Sequence, residues 1–333
     1  MTEHKNHPIS LVEVLRAKSV VYEYLTPTAL TRYENLSSLL DAEVFVKHEN
    51  HNPTGTFKVR GGINLMHQLR NSNVGGVITF STGNHGLSIA QAAAWFGLEA
   101  TIVVPENNNP AKNRSIKSTG ATLVEGGKTF EEASLVVKEL INQRELYYAH
   151  PANEPHLING VGTEFLEIIE ALPELDAIIL PIGAGSEAAA ATVVLKTINP
   201  DIQIFAVQAK SSSAAFQSWK SGKIVSSENT TFAGGFATGI AYETPFEIYR
   251  NSLTDFVVLS EDEIYEGISL AGYYTHNFVE GAGASTIMAA IKLKEQIQGK
   301  KVVLQFSGCN ASPAEINTAY RLRSFTEGWP VAL

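Results

Sequence analysis

One lysine stands in a setting that changes its chemistry. In the run Asn52-Pro53-Thr54-Gly55-Thr56-Phe57-Lys58-Val59-Arg60-Gly61-Gly62, Lys58 falls at the start of a helical pattern. The positive end of a helix dipole favours the uncharged amine and suits a lysine that forms a Schiff base. A surface lysine is the default for any single Lys; Gly55 and Thr56 before it, with Phe57 and Arg60 beside it, set Lys58 apart. A second run, Ser81-Thr82-Gly83-Asn84-His85-Gly86, lies between the apolar stretch 77–80 and an alanine-rich helical stretch, 89–96. Small residues there expose amides at a helix N-terminus, an anion site for a carboxylate or phosphate, and Asn84 adds a donor. The same residues also serve as ordinary turn and cap chemistry. His85 has no further ligand at metal-site spacing and reads as a packed turn histidine.

Two more glycine turns follow. Gly183-Ala184-Gly185-Ser186-Glu187-Ala188 matches the dinucleotide fingerprint G-x-G-x-x-A. A nicotinamide dehydrogenase also needs an acid after the next strand to hold the ribose, and Gln208 stands there. Such a turn still binds a single phosphate through its amides, provided that Glu187 points away. Ser307-Gly308-Cys309-Asn310, after another apolar run, reads on its own as a simple turn.

The elements that position these residues alternate. Short apolar runs at 44–46, 77–80, 101–104, 177–180, 204–207, 256–259 and 302–304 predict strands, with helical patterns between most of them. Capping boxes at Thr129 with Glu132 and at Ser260 with Glu263 mark helix starts. Strands joined by helical crossovers run parallel, so the chain is an α/β protein with ligands at strand C-termini. No linker or repeat marks a boundary, and the proline breaks at Asn52-Pro53 and within 150–155 bracket a compact stretch. The expected division is a large domain of residues 1–75 and 153–333, interleaved with a small mobile domain, 76–152.

Bulk properties narrow the partners. The 333 residues, 44% hydrophobic, suffice for about two domains. A net charge of −9 favours neither a nucleic acid nor an anionic membrane and leaves a small molecule as the expected ligand. Cys309, the single cysteine, excludes an internal disulfide and a multi-cysteine metal site. The polar start 1–10, and apolar runs all shorter than the ~18 residues that span a bilayer, make a soluble cytoplasmic protein the expectation.

Taken in order, the Lys58 run, Ser81 to Gly86, the Gly183 loop and Ser307 to Asn310 resemble the fold type II pyridoxal-phosphate enzymes, in the branch of threonine/serine dehydratases and serine racemases. His150-Pro151, Gly160 to Thr163 and Glu280 to Gly283 extend the resemblance over nearly the whole chain. It implies two interleaved three-layer open-sheet domains of the tryptophan synthase beta type, with pyridoxal 5'-phosphate as cofactor. It makes Lys58 the Schiff-base lysine and Phe57 the residue beside the pyridine ring, with Asn84 at the ring's 3'-oxygen. Gly183, Ala184, Gly185 and Ser186 occupy the phosphate loop, Ser307 meets the pyridine nitrogen, and Glu280 lies near the cofactor. Ser81, Thr82, Gly83, Asn84 and His85 hold the substrate carboxylate. The activity implied is loss of water and ammonia from a 3-hydroxy amino acid such as L-threonine, L-serine or 3-hydroxyaspartate, by a homodimer, with Lys58 removing the α-proton.

Departures from the family pattern qualify that expectation. Thr82 stands where racemases of this branch carry a catalytic serine and many dehydratases an alanine, so a serine or aspartate racemase stays open. Gln208 and Ala214 replace two acids of relatives that bind a divalent cation, so no Mg²⁺ or Ca²⁺ is expected there. Phe232 to Gly235 and Cys309 also depart, which leaves a non-catalytic amino-acid-binding relative as a further alternative. Cys309 itself is expected to be inert filler, and the room left by small residues after Ala233 hints at a substrate larger than serine. Too little chain follows Ser307 for a C-terminal regulatory domain, so feedback control by isoleucine is not expected.

Overall fold

The computed structural model describes residues 7–127 and 130–330. The Thr129–Glu132 capping box therefore falls outside the described residues, whereas Ser260 and Glu263 form theirs reciprocally.

Ten strands form two sheets: β1 (Leu30–Arg32), β2 (Glu43–Lys47), β3 (Val77–Phe80), β4 (Ala100–Val104), β5 (Thr122–Glu125), β6 (Tyr147–Tyr148), β7 (Ala177–Pro181), β8 (Gln203–Ala209), β9 (Asp255–Leu259) and β10 (Lys301–Gln305). One sheet has the order β5-β4-β3-β6 and the other β1-β2-β10-β7-β8-β9. Every pairing is parallel except that of β1 with β2. All seven strands expected from sequence are present; β1, β5 and β6 are additional.

The chain packs as two units: one comprises the chain to Thr26 with Thr56–Thr163, the other Pro27–Gly55 with the chain from Glu164. These bounds differ from the division at residues 75 and 153 read from sequence, for a packing reason. Helix Lys58–Leu69 buries Val59, Ile63, Leu65, Met66 and Leu69 in the cluster that also holds Val77, Ile102 and Val104 of the four-stranded sheet. It also crosses helix Pro155–Val161 at near-contact distance: a Cβ on Gly160 would lie 2.5 Å from the Arg60 carbonyl oxygen. Asn64 Nδ2 donates to the His156 carbonyl at 2.8 Å, 92 residues along the chain.

In this first unit Val77, Ile102 and Val104 point to one face, while Ile78 and Val103 join Ala133 and Val137 of helix Phe130–Arg144 on the other. Covering both faces is what makes the strands apolar throughout. The second unit follows the same rule. Val44, Val46, Ile179, Phe205, Val302 and Leu304 share a core with helices Glu261–Thr275 and Gly281–Lys292. The alternate residues Ile178, Leu180, Ile204 and Val303 are also fully buried. Both units are thus three-layer open α/β sheets.

Candidate active site

In the first unit the helix carrying Lys58 starts at that residue, and its N-cap, Phe57, makes no side-chain capping bond. Lys58 is half-buried, its Nζ 4.9 Å from the centroid of the buried Phe57 ring. The first turn is held by Arg60, fully buried, which donates to Thr163 Oγ1 at 3.2 Å; Thr163 in turn donates to the Gly160 carbonyl.

Strand β3 runs directly into the Ser81–Gly86 loop, and helix Asn84–Phe96 begins there with Gly83 as an N-cap that offers no side chain. Ser81 Oγ organises the turn by accepting the N–H groups of Gly83 at 3.3 Å and Gly86 at 2.9 Å. Thr82 is exposed and Asn84 half-buried at the helix head. The His85 side chain turns from the loop to the sheet. Its Nε2 lies 3.0 Å from Thr79 Oγ1 and 3.1 Å from the Ala149 carbonyl oxygen, which ties the imidazole to the sheet. Burial, with the nearby Lys58 charge as the next cause, pushes its pKa down to about 3. A neutral ring that donates to Ala149 is a structural post for the loop, in keeping with the packed turn histidine read from sequence.

In the second unit β7 leads through Gly183, Ala184 and Gly185 into helix Ser186–Ile198, again with no side-chain cap. Gly185 has φ +89°, and a Cβ on Gly183 would lie 1.9 Å from the Gly235 carbonyl oxygen. Only glycine fits where these two loops meet. The departing segment Phe232–Gly235 is thus part of the loop's support: Phe232 stacks on Tyr265 at 4.0 Å between centroids, and its N–H donates to Glu261. Ser186 and Glu187 are both buried.

Strand β10 delivers Ser307, which is buried. Its loop is laced to the segment that leads to Lys58: Asn50 N–H donates to the Phe306 carbonyl, Cys309 N–H to the Gly55 carbonyl at 2.9 Å, and Asn310 Nδ2 to the Thr54 carbonyl at 2.9 Å. Glu280 is buried, and its N–H donates to the Gly308 carbonyl at 3.0 Å. Burial and the Glu280 charge push the Cys309 thiol up in pKa, away from the reactive thiolate. At the end of β8, Gln208 is fully buried; its Oε1 accepts the Phe216 N–H at 3.1 Å while its Nε2 has no partner.

Sequence reasoning missed three members of these assemblies. Arg60 and Asn310 carried no functional signal beyond their motifs, and Lys112 carried none at all. A Cβ on Gly83 would lie 3.5 Å from Lys112 Nζ, a proximity that only the folded chain reveals.

Each unit thus presents chemistry at a strand end or helix head: a half-buried lysine in the first, a glycine turn and a buried serine in the second. The chain belongs to the pyridoxal-phosphate dependent enzyme family, whose pattern it matches over residues 21–308. It is similar to the L-threonine ammonia-lyase of Thermotoga maritima, 32% identical over 91% of this chain and 76% of the relative. The catabolic L-threonine dehydratase of Escherichia coli K12 is 30% identical, over 93% of this chain and 95% of that one. Among solved structures, maize serine racemase superposes with a TM-score of 0.89 at 26% identity, covering 95% of this chain and 98% of the other.

The residues fit pyridoxal phosphate. Glycine at 183 lets the loop pass directly under the Gly235 carbonyl, and helix Ser186–Ile198 begins there without a side-chain N-cap bond, a helix head that suits a phosphate.

Proposed function

We propose that this enzyme is an ammonia-lyase that removes water from a 3-hydroxy amino acid, with L-threonine, L-serine and 3-hydroxyaspartate as the candidate substrates. The products are a 2-oxo acid and ammonia. One observation carries the reading: the Lys58 amine and the Ser81–Gly86 loop at its helix head belong to one unit, close enough for the Lys58 charge to help keep His85 neutral. A base beside a carboxylate-sized anion site is what α-proton removal from an amino acid demands.

In this reading Lys58 holds the cofactor, Phe57 packs beside its ring and Asn84 meets its 3'-oxygen. The amides of Gly183 to Ser186 take the phosphate, Ser307 faces the ring nitrogen, and Glu280 lies near the cofactor edge. Bound pyridoxal phosphate supplies an electron sink for the α-carbon. Ser307 is neutral, so it does not hold the ring nitrogen protonated as an aspartate would, which favours prompt loss of a β-substituent over a long-lived carbanion. The Ser81–Gly86 loop fixes the substrate carboxylate, and Lys58, as a free amine, takes the α-proton. The C–O bond at the β-carbon then breaks, and its oxygen leaves with a proton as water. The released enamine hydrolyses to the 2-oxo acid and ammonia.

Thr82 supports a second reading. Its exposed position on the loop keeps a hydroxyl available for proton delivery to the α-carbon, as serine racemisation needs. The test follows 2-oxo acid and substrate chirality together, on holoenzyme recognised by its visible absorbance band, with each of the three L-substrates. Oxo acid without D-isomer is the expected result for at least one. D-isomer without oxo acid selects the racemase, and an intact band with no turnover overturns both. The homodimer implied by the family resemblance is checked by light scattering of the same preparation.

A further inference from the structure

We infer that Lys112 is the cationic partner of the substrate α-carboxylate, an inference that rests on the Ser81–Gly86 loop being the carboxylate site. Two of the loop's amides, those of Gly83 and Gly86, are already used by Ser81 Oγ. The backbone there is therefore a poorer anion receptor than an uncapped helix head would be. The end of the Lys112 side chain makes up the deficit. A Cβ on Gly83 would lie 3.5 Å from its Nζ, 3.6 Å from Cδ and 3.9 Å from Cε, so the side chain runs along the loop rather than away from it.

Two features show that stability does not explain this placement. Lys112 occupies the first turn of helix Pro110–Ser118, the positive end of the dipole, where a cation is disfavoured and an acid preferred. It also forms no ion pair with a carboxylate among the described residues, whereas Lys47, Lys292, Lys294 and Lys301 each do. Its helix is nonetheless firmly set: Asn109 caps it by accepting the Ala111 N–H at 2.9 Å, Pro110 opens it and Ile116 is buried in the core. A rigid helix thus holds an unpaired, half-buried ammonium over the tip of the loop. A carboxylate arriving there gains a charge-assisted hydrogen bond and offsets the lysine's unfavourable position.

The α-carboxylate carries the same charge before and during the reaction, so this contact acts on binding more than on the chemical step. For Lys112→Ala the expected result is a KM for the turned-over substrate raised about tenfold or more, the scale of one hydrogen bond to a charged group, with kcat changed far less. Lys112→Arg should restore most of the loss. The second readout is independent of turnover: L-alanine, which has no β-leaving group, is titrated against the visible band of the holoenzyme, with L-alaninamide as the uncharged control. Weakened binding of alanine but not of alaninamide supports the proposal; unchanged alanine binding, or equal weakening of both, overturns it. If the wild type eliminates none of the 3-hydroxy amino acids yet binds alanine through Lys112, the lyase reading fails and the carboxylate partner stands.

Discussion

The Ser81–Gly86 loop and the Gly183–Ser186 loop look alike on paper and differ in substance. Each follows a parallel strand, each opens a 13-residue helix, and each has a glycine at the N-cap. The Gly183 loop is held by sterics: the Gly235 carbonyl closes over Gly183, and Pro245 and Tyr249 crowd Gly185. The nearest first-turn charge in sequence is an acid, Glu187. The Ser81 loop is held by hydrogen bonds from side chains, Ser81 within it and His85 behind it, and two lysines attend it. The contrast matches what each is read to bind. A resident phosphate is served by a tight cradle of fixed backbone donors, whereas a substrate that must enter and leave is served by an adjustable charge at an exposed tip.

The largest effect should come from Lys58→Ala. Loss of the amine removes both the attachment of the cofactor and the base, so turnover is expected to fall by more than about 10³-fold, as for removal of a general base, with loss of the visible band and retention of the fold. Residual activity near wild type would break the assignment outright. Next comes the paired substitution that tests the comparison directly. In Gly183→Ala the new methyl meets the Gly235 carbonyl at 1.9 Å, so the loops must separate. A loss of about 1–3 kcal/mol or more is expected, with poor cofactor retention on dialysis. In Gly83→Ala the methyl meets only the flexible Lys112 side chain, at an ordinary 3.5 Å, so the cost is confined to the backbone of one residue at φ −166°, ψ −119°. Its melting temperature should fall by less than that of Gly183→Ala, which adds a clash with a backbone carbonyl, while substrate KM shifts. Equal destabilisation by both would show that the two loops are built the same way.

That difference was only half legible in the sequence. The turns themselves were visible because glycine and small polar residues after β-branched runs are local signals, and the strands they follow, such as Val77–Phe80, begin and end within a residue or two of expectation. The added strands lacked that signal: Leu30–Arg32 is an antiparallel edge, and Tyr147–Tyr148 is two residues long. What holds each loop is non-local. Gly235 over Gly183, Lys112 over Gly83 and Asn310 on Thr54 join residues 29 to 256 positions apart, and no periodicity encodes such pairs. The packing of helix Lys58–Leu69 was hidden for the same reason, since its partners appear only when Gly61 and Gly160 are brought together.

His85 gives the comparison a pH dependence. Its folded pKa of about 3 lies below the ordinary 6.5 of the unfolded chain, so below pH 6.5 the unfolded state binds the extra proton. Stability from the neutral buried ring is fully present above pH 6.5 and is lost as pH falls toward 3, by up to about 1.4 kcal/mol per pH unit. Denaturant titrations from pH 7 to 4.5 should show this slope, and His85→Asn should flatten it while lowering stability at pH 7. An unchanged slope would mean that the ring is not the loop's neutral post.

The smallest effect concerns a charge that is missing. Hard divalent cations take several oxygen ligands, usually with carboxylates among them. At the end of β8 the buried side chain is the Gln208 amide, whose oxygen is already committed to the Phe216 N–H and whose Nε2 is a donor rather than a ligand. Ala214, the first residue of the helix beyond, has no side-chain oxygen. A cation placed there would face an N–H₂ group and the positive end of that helix, so adding Mg²⁺ or Ca²⁺ is expected to leave both melting temperature and KM unchanged. Stabilisation at micromolar metal would require Gln208 to turn its oxygen away from Phe216, and its abolition in Gln208→Leu would locate the site. The expected null result instead makes Gln208 a neutral replacement for a charged ligand, holding the β8 end and the following helix together through the Phe216 hydrogen bond alone.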